Sequence, residues 1–143
     1  MTQEPQVAQY RSTRSQRHAE SALARITAVV AWSDEQKDAK DASKLRKEYK
    51  ARADGFPVLV MQAGLAQAVG FMRAKSADKP AYGRYLDDLA AVIGGLADGA
   101  ALHHRAIHGQ LPAYRQLTRE VLAAAGWLKR FGQVYLSDKG GQP

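Results

Sequence analysis

Apolar residues recur at spacings of three and four along nearly the whole chain, the pattern of amphipathic helices that must bury one face against each other. Val58–Met61 could read as a strand in isolation, but its run continues too long and too periodically. The first predicted helix spans about Gln6 to Trp32. There Ala8, Ala19, Ala22, Leu23, Ile26 and Val30 fall within about 100° of one another, the width of a core-facing stripe. Asp34 and Glu35 form a junction. Residues 34–54 then hold seven Lys/Arg and six Asp/Glu, with little large apolar surface beyond Leu45 and Tyr49. Asp41 before Lys44 and Glu48 before Arg52 suit a solvent-exposed helix.

Gly55-Phe56-Pro57 is expected to stop that segment, with Pro57 opening the next helix at its first position. Val58, Met61, Leu65, Val69 and Met72 carry this helix to about Arg73. Asp78-Lys79-Pro80 starts another, reaching about Asp98, with Tyr85, Leu89 and Leu96 in the core and Gly94-Gly95 as its weak point. Residues 99–117 look less regular, punctuated by Gly99, Gly109 and Pro112. Thr118 is the expected N-cap of a last helix ending near Leu136, with Val121, Leu122, Ala125, Leu128, Phe131 and Tyr135 on its core side. Residues 137–143 read as a tail. The expectation is an all-α fold, five or six helices in one bundle, over a single domain 1–143.

A chain of 143 residues buries roughly two-thirds of its unfolded surface and needs no staple to fold. Cysteine is absent, which excludes a disulfide framework, a thiolate metal site and a Cys nucleophile. The longest uncharged run, Gly55 to Met72, carries Pro57, three glycines and two glutamines, so it suits a core helix better than a membrane span. The polar N-terminus lacks an apolar signal core, and a cytoplasmic location is expected.

The net charge of +7 is unevenly placed. Residues 1–33 contribute +2 and residues 100–143 contribute +4, while residues 34–54 give +1 and 55–99 balance. In the first helix Arg11, Arg14, His18 and Arg25 lie within about 60° of each other. Such a row can track phosphates, because Arg makes forked hydrogen bonds to their oxygens and displaces counterions. It can equally be a solvated face. In the last helix Arg119, Ala123, Gly126 and Arg130 line up opposite the core, with Arg115 upstream. A glycine there favours close approach by a backbone or a second subunit; a plain exposed face fits the arginines as well. Trp32 and Trp127 suit packing at helix ends rather than stacking on bases.

No active site is evident. His104 and His108 are four apart and could share a helical face, as in a zinc site or a metal-dependent hydrolase. Arg105 stands where the metalloprotease signature needs its Glu, however, and a cation there repels a metal. Together with His103 they read as polar loop histidines. Asp87 and Asp88 point about 100° apart on a helix and do not converge on one ion. No phosphate loop, dinucleotide fingerprint or nucleophile elbow is present, so no enzyme activity, metal or cofactor is expected.

Two motifs remain. Phe56-Pro57-Val58 leads into Gln62-Ala63-Gly64-Leu65-Ala66 and Val69-Gly70-Phe71, and Leu117-Thr118-Arg119-Glu120-Val121-Leu122 leads into Trp127-Leu128-Lys129-Arg130-Phe131. This pattern resembles the small α-helical subunit of the type III-B CRISPR effector, the Cmr complex. Members carry a proline-initiated helix with a Gly-Leu pair and a later Phe, then Leu-Thr-x-Glu and Trp-Leu-Lys-Arg-Phe in the closing helix. The resemblance covers most of the chain and departs at Ala63, where a polar residue is frequent. It implies a non-catalytic subunit that stacks in several copies beside the crRNA-bearing backbone subunits and the large subunit. Its basic surfaces would line the channel where target RNA pairs with the guide, and its role would be antiviral. Leu65, Phe71, Trp127, Leu128 and Phe131 of the motifs are expected in the core. Lys129 and Arg130 are the motif's candidates for RNA contact, and Arg11, Arg14, Arg25, Arg115 and Arg119 are added on helix geometry. The small subunit of the type III-A complex and a stand-alone basic helical nucleic-acid-binding protein remain alternatives.

Overall fold

A computed structural model describes residues 12–137. Among them there are six helices and no strand: α1 (Arg14–Asp34), α2 (Ala39–Ala63), α3 (Leu65–Lys75), α4 (Pro80–Ile93), α5 (Gly99–His108) and α6 (Leu111–Tyr135). The all-α expectation holds. Helix α4 is the hub. It contacts every other helix, and eight of its residues are buried.

Helix α1 opens on a reciprocal capping box in which Thr13 Oγ1 accepts from Gln16 N (3.1 Å) and Gln16 Oε1 accepts from Thr13 N (2.7 Å). The expected start near Gln6, together with Ala8 and Arg11, lies outside the described residues. The buried stripe is His18, Ala22, Ile26, Val29 and Ser33. It is rotated about 50° from the expected stripe, toward the basic row, and leaves Leu23 exposed. The cause is Asp88 of α4, a buried carboxylate that draws Arg25 inward (Nε to Oδ1, 2.7 Å).

The expected break at Gly55-Phe56-Pro57 does not occur. Helix α2 runs through Pro57 and ends at Ala63. A proline inside a helix costs about 3 kcal/mol, but Tyr49, Ala53, Phe56 and Val60 form one buried stripe across it. Two large aromatic side chains in that stripe outweigh the lost hydrogen bond. Tyr85 meets both, with ring centroids 5.7 Å from Tyr49 and 5.3 Å from Phe56. The chain turns instead at Gly64 (φ 87°, ψ 159°), a conformation open essentially only to glycine. Helix α3 starts there, and its Ala66 N–H donates to Tyr114 Oη of α6 at 3.0 Å. Gly64→Ala is expected to cost about 1–3 kcal/mol. Gly126→Ala, on the open face of α6 where an added Cβ meets nothing within 4 Å, should stabilise by about 0.5–1 kcal/mol. Urea unfolding of both variants checks the pair, and a neutral Gly64→Ala would contradict this account of the turn.

Residues 99–117, expected to be irregular, are helical. Asp98 caps α5 by accepting from Ala101 N (3.0 Å), and Asp87 accepts from Gly99 N (2.8 Å). Gly99 is required for packing rather than flexibility, since a Cβ there would lie 2.7 Å from Leu86 Cβ. Helix α6 begins at Leu111, seven residues before the expected cap, because Pro112 is tolerated in a first turn. Thr118 is therefore internal, and its hydroxyl donates to Tyr114 O (2.9 Å). The core side of α6 holds Leu117, Val121, Ala124, Ala125, Leu128 and Gly132, while Tyr135 is half exposed.

Candidate nucleic-acid interface

Glu120 lies close enough to act electrostatically on His18, and Tyr135 lines a hollow with Thr27, Val30 and Ala31. Helices α1 and α6 therefore run parallel. This puts Arg14 and Arg17 at the same end of the pair as Arg115 and Arg119. Along α6, Arg115, Arg119, Gly126 and Arg130 are all exposed on one face, a row about 22 Å long at 1.5 Å per residue. Arg119 is steadied by a hydrogen bond to Gln116 Oε1 (2.8 Å). The open surface at Gly126 lets a backbone come close between the flanking guanidinium groups.

The other candidates fall elsewhere. Arg11 is outside the described residues. Arg25 is bound to Asp88, which also accepts from Tyr49 Oη at 2.6 Å and has Arg84 Nε at 3.7 Å. Desolvation raises the Asp88 pKa, although hydrogen bonds from Tyr49 and Arg25 and the charges of Arg25 and Arg84 oppose it. Lys129 is half-buried and lies at the edge of the arginine row, where Arg115, Arg119 and Arg130 are exposed. Phe71 of the central motif is half exposed rather than in the core, whereas Leu65 and Leu128 are fully buried. Trp127 stacks on Phe131 (5.6 Å) in the middle of α6, and Trp32 carries the Arg84 guanidinium over its ring (4.8 Å).

His18 sits between the two basic helices and is buried. Desolvation lowers its pKa from 6.5, Arg14 and Arg17 add to this, and Glu120 opposes it. The unfolded chain therefore takes up this proton first, so the His18 contribution to stability is present above about pH 6.5 and lost as pH falls through the lowered value. Denaturant unfolding at pH 7.5 and 5.5 should show a drop that His18→Gln abolishes.

The histidines expected in a loop lie on α5, where His104 and His108 have ring centroids 4.4 Å apart beside Arg105. Among the described residues no group of three or more His, Cys, Asp or Glu side chains could hold a metal ion.

A second basic surface is not visible in the sequence pattern. Lys40, Lys44, Lys47 and Arg52 of α2 meet Lys79, the N-cap of α4, and Tyr82 of α4 around an open groove of about 880 Å³, with Asp41 and Glu48 among them. The ion pairs on this helix differ from those expected. Arg46 pairs with Asp34, Lys50 with Asp54 (2.8 Å) and Glu48 with Lys79 (3.8 Å), while Arg52 lies over the Tyr82 ring (4.5 Å).

The sequence pattern of the CRISPR-associated protein (Cas_Cmr5) family matches residues 14–135, from the first residue of α1 to the last of α6. The chain belongs to the Cmr5 family. The CRISPR system Cmr subunit Cmr5 of Thermus thermophilus is 44% identical over 93 residues, covering 65% of this chain and 79% of that protein. The crystal structure of a CRISPR-associated Cmr5 family protein from Thermus thermophilus superposes with a TM-score of 0.69 at 38% identity, over 85% of this chain and 96% of that one. The Cmr5 match thus favours the type III-B resemblance over the type III-A one. No helix among the described residues is long and apolar enough to cross a membrane.

Proposed function

We propose that this chain is a non-catalytic structural subunit of a Cmr-type, RNA-guided ribonucleoprotein of antiviral defence, working in the cytoplasm. It stacks in several copies beside the crRNA-bearing backbone subunits and the large subunit. Its α6 face contacts target RNA through phosphates, while base pairing to the guide reads the sequence. The observation that carries this reading is the exposed row Arg115, Arg119 and Arg130 around open Gly126 in a chain matching the family from end to end of its bundle. Arginine is suited to the role by its forked donors.

Affinity purification of the tagged chain from cells carrying its partner genes tests it. Guide RNA and larger proteins should co-elute in fixed ratio. Recovery of the chain alone, with RNA of random length, would point to the stand-alone nucleic-acid binder instead.

A further inference from the structure

The lysine-lined groove does not end at its basic half. It continues along α2 through Ala51 and Arg52 into an apolar hollow of about 320 Å³ lined by Gly55, Val58, Leu59 and Phe71 among others. Val58 is 50% and Phe71 43% exposed, large apolar side chains gathered in this one hollow. From Lys40 to Gln62 this face runs about 33 Å, the length of a helix of about 22 residues. Arg52 marks the junction, and its buried Nε has no hydrogen-bond partner among the described residues.

The geometry points to a docking site for an amphipathic helix of another protein, acidic at the end that meets Lys40 and Lys44 and apolar at the end that meets Val58 and Phe71. Three observations select this occupant. A groove that seats single-stranded RNA by its bases offers free aromatic faces along continuous positive charge. Here Phe71 lies edge-on to Tyr82 (6.3 Å), Arg52 covers Tyr82, and among the described residues the lining of the apolar half includes no cation but Arg52, with Lys75 Nζ 5.8 Å from the Phe71 ring. Asp41 and Glu48 interrupt the basic half, a pattern that repels a uniform phosphate chain yet can register against spaced carboxylates. A second copy brings a net +7 to a groove whose cations already outnumber its acids, so copies are expected to stack through other surfaces. Small residues at Ala51 and Gly55 let a helix backbone lie close, as in helix-in-groove recognition; a Cβ added at Gly55 meets nothing within 4 Å.

This inference rests on the chain being an assembly subunit, and the test separates the two. A photo-cross-linking residue is placed at Lys44 in one variant and at Val58 in another, and each is irradiated in the complex purified from cells. Guide RNA in the eluate reports on the subunit reading alone; cross-links are scored whether or not it is present. Both positions should join one and the same protein, other than this chain, within a segment of about 22 residues whose carboxylates lie toward the Lys44 adduct. Adding Lys40→Glu to the Val58 variant, together with Lys44→Glu, should lower the Val58 adduct yield about tenfold if one partner spans both halves. Adducts to RNA, adducts to a second copy, or no adduct at either position overturns the docking site even where guide RNA co-purifies.

Discussion

Asp88→Ala is expected to be the most damaging single substitution considered, costing about 3 kcal/mol, at the lower end of what breaking a buried ion pair removes. The Asp88 carboxylate is fully buried and accepts from Arg25 Nε and Tyr49 Oη. Its loss strands the Tyr49 hydroxyl in a site where the neighbouring Tyr85 hydroxyl already lacks a partner among the described residues, and a buried hydroxyl left unpaired costs about 1–3 kcal/mol. The Arg25 side chain is 37% exposed and can turn to water, so its share is small. The lost tether between α1 and α4 and the vacated volume supply the rest. A loss of that size lowers the melting temperature by about 10 °C in a domain of this length. Asp88→Asn keeps an acceptor for Tyr49 and should cost much less, because desolvation already works against the ionised carboxylate. Thermal and urea unfolding of the two variants, side by side, decide the matter. If Asp88→Ala lies within about 1 kcal/mol of the parent, the network does not hold α1 in place.

That network also explains what could and could not be read from the sequence. The all-helical class was legible because apolar spacing survives any detail of packing. The rotation of α1 was not. Wheel geometry assigns Arg25 to a solvent-facing row, and only a partner 63 positions further along the chain pulls it inside. Tyr49 stood in a segment that read as a solvent-exposed helix, yet it is fully buried, with Asp88 and Tyr85 converging on it from α4. The α2–α3 boundary went to Pro57 rather than Gly64 because a local rule about proline was set against a tertiary gain that no local rule contains. Helix α5 was hidden for a similar reason. Asp87 satisfies its first N–H from the preceding helix α4, and glycine at 99 serves packing against Leu86. The lysine groove was lost in the arithmetic of residues 34–54, where seven basic and six acidic groups nearly cancel. The fold separates them, directing several acids to ion pairs and aligning Lys40, Lys44 and Lys47 with Lys79 at the start of α4.

The arginine row of α6 was legible, and its consequence is measurable. Reversing Arg115, Arg119 and Arg130 to Glu should weaken binding of single-stranded RNA by at least about tenfold near 0.1 M salt. It should also flatten the dependence of log affinity on log salt by about 2, since each phosphate contact contributes about 0.7 to that slope. The three side chains are exposed, and the only hydrogen bond among them in the described structure joins Arg119 to its own helix at Gln116. Helix content and unfolding midpoint should therefore stay near the parent values, which separates lost contact from lost fold. Arg25→Ala makes the opposite control. It leaves a buried carboxylate short of its partner, so its effect should appear in stability and hardly in the salt slope. A triple variant with parental slope would place the RNA on another surface and leave the α6 row to a protein neighbour. Because salt slope counts phosphates neutralised rather than bases read, this measurement distinguishes a backbone contact from an indirect loss of affinity through a disturbed bundle.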